Sequence, residues 1–135
     1  MNAMSFSDMG LAALKQQQFD AAINMLRQAL GEDMDNLAAR FGLARALHEK
    51  GSIIEAIGEY RTVLQSDGGH EDCLHHIARA LLENGDARDA LNHVDIVLRA
   101  KPTDPELLTL RAQALLELDQ SDNALSALQT AAHHS

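Results

Sequence analysis

The sequence has no tryptophan, three phenylalanines and one tyrosine, so aromatics make up only 3% of its 135 residues. Sheet proteins favour aromatic and β-branched residues, and this shortage argues against an all-β fold. A single cysteine, Cys73, excludes an internal disulfide and suits a reducing compartment, which points to a cytoplasmic location. Only two prolines appear, Pro102 and Pro105. No apolar run approaches the length of a membrane span, so no membrane insertion is expected. The N-terminus lacks the basic-then-apolar pattern of a secretory signal, and Asn2-Ala3-Met4 reads as a cloning scar ahead of a start at Met4. Basic residues are also scarce. Eleven Lys and Arg against twenty Asp and Glu give a net charge of −9, which opposes nonspecific binding to nucleic acid or an anionic membrane.

What is present is helical. Hydrophobic residues reach 46%, enough for a core, and alanine and leucine, both good helix formers, dominate. The length suits one domain, 1–135. Between Gly85 and Pro102 the residues Ala90, Leu91, Val94, Val97 and Leu98 form one apolar stripe at helical period. The pattern recurs every 34 residues. Ala22, Ala56, Ala90 and Ala124 coincide, as do Leu26, Tyr60, Val94 and Leu128. Gly10, Ala44, Ala78 and Ala112 keep a second place small, where two helices approach closely. Four units result: 3–36, 37–70, 71–104 and 105–135.

A 34-residue period with two helices per unit resembles the tetratricopeptide repeat family. Phe6 stands where that family favours tryptophan, Gly10, Gly51 and Gly85 at its glycines, and Pro102 at its closing proline. Gln17 and Asp119 depart from the turn glycine, Met34 and Gly68 from the proline, and Arg111 from a usual leucine. The resemblance implies an all-α, right-handed α-solenoid whose first helices line a concave face. Eight helices are expected, near 3–16, 19–31, 36–50, 53–66, 70–84, 87–100, 104–118 and 121–133. Ser52 with Glu55 has the spacing of a capping box, Asp86 and Asp104-Pro105 read as helix starts, and Asp67-Gly68-Gly69 reads as a turn. The eighth helix leaves Leu125, Leu128, Ala131 and Ala132 as an uncovered stripe, which suggests a homodimer through 121–133 or a piece cut from a longer protein; the plainer alternative is a small exposed patch that the fold tolerates.

No catalytic signature is present: no phosphate-cradling glycine loop, no dinucleotide fingerprint, no zinc-protease histidine pair. No enzyme activity and no cofactor are expected. The paired carboxylates Asp33 and Asp35, and Asp119 and Asp122, fall at expected helix ends, where they act as caps and dipole partners. Cys73 and His76 share a helix face with His75 beside them. A structural metal site needs about four ligands in fixed geometry, so Cys73 reads instead as a small apolar side chain. His133 and His134 fall at a fraying end.

The resemblance places ligands on one stripe of the first helices. Carried over, it runs through Ser7, Leu11 and Leu14, then Phe41, Arg45, His48 and Glu49. It continues through His75, His76, Arg79 and Leu82 to Thr109, Gln113 and Leu116. Arg45 and Arg79 lie one period apart and, with His48, His75 and His76, make a basic centre suited to a peptide or short helix carrying a carboxylate. Histidine protonation should strengthen that binding below about pH 6.5. The plainer alternative pairs Arg45 with Glu49 and Arg79 with Glu83 along their own helices. Family members that grip chaperone tails use lysines, asparagines and an arginine at positions matching Ser7, Leu11, Gly42, Asp72 and His76, none of which conforms.

Overall fold

The computed structural model describes residues 4–134, and the side chains of all but Asn123 and 131–134 among them. Seven helices follow one another: α1 (Phe6–Lys15), α2 (Phe19–Glu32), α3 (Leu37–Lys50), α4 (Ile53–Ser66), α5 (Glu71–Glu83), α6 (Ala87–Ala100) and α7 (Pro105–His134). No strand occurs among the described residues. Ala3, expected to open the first helix, lies outside them.

Helices α1, α3 and α5 each pack on the even-numbered helix that follows, and also on the next odd-numbered one. Among α2, α4 and α6 there is no mutual contact. The odd-numbered helices therefore form the tight inner layer and the others the splayed outer one, so the stack curves with α1, α3, α5 and the start of α7 on its concave side. The repeat alanines make this spacing possible. Ala22, Ala56 and Ala90 are fully buried, and a Cβ at Gly10 would sit 2.6 Å from Leu26 Cγ. Leu26 is clamped from the far side too, since a Cβ at Gly42 would meet its Cδ1 at 3.3 Å. The core runs from α1 to the start of α7, with Leu64 and Leu82 packed against both of its parts.

Gly51 and Gly85 make their turns at φ 99° and 85°, the left-handed region glycine enters freely, and Gln17 makes the same turn at φ 62°. Asp119 does not turn. The seventh and eighth expected helices are one continuous helix, α7. The physical difference is support. In the first three units the second helix is held between its own first helix and the next one. Among the described residues nothing follows α7, so the last unit has half that packing to offset a left-handed turn, and helix propensity prevails. Asp104 caps α7 as expected, its Oδ1 accepting from the Glu106 and Leu107 amides at 3.0 and 3.2 Å. Asp67 closes α4 and accepts from the Gly69 amide at 3.2 Å, as the turn signal implied. Two expected caps do not form. Ser52 and Asp86 have ψ of 66° and 62°, short of the extended geometry a cap requires, and neither side chain bonds its helix amides. Asp86 accepts instead from the Asn84 side-chain amide at 2.9 Å.

Candidate functional site

The concave face has a floor of rings. Phe41 on α3, His70 at the start of α5 and His76 on α5 meet, with centroids 4.9 Å apart for Phe41–His70 and 5.5 Å for Phe41–His76. Tyr60 comes up from α4 below and stacks on His76 at 6.1 Å and 15°. His70 is held by its own helix, since its Nδ1 accepts from the Cys73 amide at 3.1 Å and caps α5. Arg45 stands one turn along from Phe41 with its guanidinium carbon 6.0 Å from the ring centre, a cation–π contact.

His48 is not an exposed groove residue as expected, but a buried one. It lies one further turn along α3, where the face turns inward onto α4. Its Nδ1 is 3.2 Å from the Tyr60 hydroxyl and its Nε2 2.7 Å from Glu83 Oε2. Burial raises the Tyr60 hydroxyl well above the ordinary phenol range, so it keeps its proton and donates to Nδ1, while Nε2–H donates to the carboxylate. The chain Tyr60, His48, Glu83 ties α4, α3 and α5 together beneath the groove. His76 is held neutral: burial foremost, then the charges of Arg45 and Arg79, lower it to about 4. His76 therefore adds no positive charge at pH 6.5, contrary to the expected protonation. The basic character of the face comes from arginine.

The two arginines differ. Arg79 reaches forward to Glu106 on α7 at 2.5 Å, with His75 Nδ1 3.8 Å from the same carboxylate. Neither expected same-helix pair forms, since His48 occupies Glu83 and no ion pair joins Arg45 to a described carboxylate. Among the described residues, seven of the eleven Lys and Arg side chains have an acidic partner: Arg27, Arg40, Lys50, Arg61, Arg79, Lys101 and Arg111. Of the other four, Lys15 and Arg45 line one cleft of about 660 Å³ between α1, α3 and the start of α2, with Leu11, Leu14, Phe19 and Glu49. Arg79, Thr109 and Gln113 line a second, shallower cleft of about 460 Å³ with Pro105 and Glu106. Thr109 spends its hydroxyl on the Pro105 carbonyl at 2.9 Å. Leu82 is partly buried between the two parts of the core. Lys15, Phe19, Tyr60 and His70 were not singled out from sequence. Tyr60 carried a signal, being the one polar-tipped residue in the column Leu26, Tyr60, Val94, Leu128.

Cys73 is fully buried, donates to the Tyr60 carbonyl at 3.4 Å and packs as a small apolar side chain. Burial, with the nearby charge of Asp67, pushes its thiol up to about 12. No helix among the described residues is long and apolar enough to cross a membrane.

Two family models, both described as tetratricopeptide repeat, match residues 7–71 and 47–114. No curated protein sequence matches the chain. Several solved structures share its fold. MamA from Desulfovibrio magneticus RS-1 is 18% identical, with 92% of this chain and 70% of that one covered and a TM-score of 0.81. The first TPR domain of human RPAP3 is 16% identical over 87% of this chain and 93% of its own, at 0.78. The second TPR domain of human RPAP3, in complex with the HSP70 peptide SGPTIEEVD, is 19% identical over 82% and 92%, at 0.75.

Proposed function

The chain belongs to the tetratricopeptide repeat family, and from that premise we propose that it is a non-enzymatic protein-interaction module, one domain over 1–135, that takes a peptide or short helix along its concave face. One observation carries the reading. Among the described residues Arg45 has no carboxylate partner, and it stands over an aromatic floor at the edge of a 660 Å³ cleft walled by Leu11, Leu14 and Phe19. A peptide bearing a carboxylate next to an aliphatic side chain fits both features, because arginine binds a carboxylate by two parallel hydrogen bonds and the cleft covers the apolar neighbour. Lys15 adds charge at the same cleft. Arg79 contributes less, since a ligand there competes with Glu106.

The RPAP3 neighbour is a TPR domain that holds a peptide. The ligand here is of a different kind from a chaperone tail, because Ser7, Leu11, Gly42, Asp72 and His76 occupy the places of the gripping lysines, asparagines and arginine. A buried, unpaired cysteine fits a reducing compartment such as the cytoplasm.

The test is selection of a phage-displayed random peptide library on the wild type, with binding of the enriched peptides then measured on two variants. Arg45→Glu should lose binding at least tenfold, while Arg99→Glu, a charge reversal on outer α6, should keep it. Enriched peptides that lack acidic residues, or that bind Arg45→Glu as well as wild type, would contradict the proposal.

A further inference from the structure

The 34-residue register predicts what should cover α7, and the chain itself carries that segment. Leu108, Ala112 and Leu115 correspond to Leu74, Ala78 and Leu81, all buried on α5. On α7 the same three places are exposed. The complementary residues are also uncovered: Leu128 is 69% exposed where Leu26, Tyr60 and Val94 are fully buried. One helix thus bears both halves of the contact that joins the two helices of a unit, and neither half is closed. Because α7 is straight, Leu128 lies sixteen residues beyond Ala112, about 24 Å along the axis and about 160° around it. The chain's own segment is carried away from the seat.

We propose that the Leu108–Ala112–Leu115 face of α7 is a docking seat for residues 121–130 of a second copy of this chain. Leu128 of one copy covers Ala112 of the next, as Leu26 covers Gly10 within the first unit. The association is head-to-tail. A two-fold pair of straight helices would need the seat and the inserted stripe on the same side of α7, and they are on nearly opposite sides. The seam is small and apolar, so assembly is weak and rises with concentration. A cleft of about 300 Å³ between the start of α6 and Glu117, Leu118 and Ser121 marks where α7 leaves the body, so the inserted half stands clear of its own repeats. The groove plays no part in this contact.

Sedimentation equilibrium up to about 1 mM protein tests it. The wild type should exceed twice its 14.7 kDa mass as concentration rises. Leu128→Asp should stay at one copy. Asp119→Gly, which supplies the turn residue found at 51 and 85, should fold the segment back on its own seat and also stay at one copy. In a second experiment, the variant carrying both Ala112→Cys and Leu128→Cys is oxidised; Cys73 is left in place because it is fully buried. A ladder of linked chains on a non-reducing gel is expected. A wild type that stays monomeric, a mass that stops at two copies, or a disulfide formed only within one chain would each overturn the proposal.

Discussion

The first and last units contain the same columns of residues and treat them oppositely. In the first, Leu26 is fully buried between Gly10 of α1 and Gly42 of α3, and the chain accepts a left-handed Gln17 to put it there. In the last, Leu128 occupies the same column and points into solvent, and Asp119 stays helical. Asparagine and aspartate tolerate the left-handed region better than glutamine does, so the turn residue is not what separates the two units. Among the described residues, what separates them is a helix packed on the far side of the second one. A second helix clamped on two sides gains enough burial to offset a strained turn; one that meets a single neighbour does not.

The sharpest way to break this comparison is to truncate the same column in both units. Leu26→Ala should cost about 2–5 kcal/mol in urea denaturation, whereas Leu128→Ala should change stability by less than about 0.5 kcal/mol. Equal losses would mean that Leu128 is packed in solution. The two small-residue columns give a second contrast. Ala44→Leu, Ala78→Leu or Ala90→Leu should each cost about 1–3 kcal/mol by overpacking, and Ala112→Leu next to nothing, because the first three are fully buried and Ala112 is exposed.

The groove floor sharpens the comparison through pH. His76 is neutral in the folded protein down to about 4, while in the unfolded chain it takes up a proton near 6.5. Protons therefore favour the unfolded chain in that window. The stability contribution is full above pH 6.5 and is lost as the pH falls toward 4. After allowing for solvent screening of a partly exposed ring, the loss is on the order of 2 kcal/mol. Denaturation midpoints of wild type and His76→Leu across this range should diverge by that amount; parallel curves would contradict it. A smaller loss is expected at the chain beneath the groove. Tyr60→Phe leaves His48 Nδ1 without its donor and should cost about 1 kcal/mol in the same assay.

The repeat register was legible because spacing is a local property of the sequence. Ala22, Ala56 and Ala90 share a column and are all fully buried, and Gly51 and Gly85 turn where the period puts them. Features decided by tertiary packing were not legible. The turn at Asp119 depends on whether a helix follows, which no nearby residue encodes. Arg79 takes its partner from Glu106, twenty-seven residues on, and His48 sinks because Tyr60 rises to meet it from another helix. Ser52 and Asp86 are good cap residues at the right positions, but their backbone angles are set by the turns before them. Of the stripe, the helix that carries each residue was readable from the period; the burial of His48 and the neutrality of His76 were not, because the burial and the two arginines that hold His76 neutral come from how α3 and α5 meet.

The most direct measurement is a map of where a ligand sits. A library-selected peptide is titrated into isotope-labelled protein, and backbone amide shifts are followed by NMR. Concave-face binding predicts the largest changes along Leu11–Lys15, Phe41–Glu49 and His75–Arg79, with Arg45 among them and with α2, α4 and α6 little affected. Changes concentrated on the outer helices, or confined to α7 beyond Asp119, would contradict it.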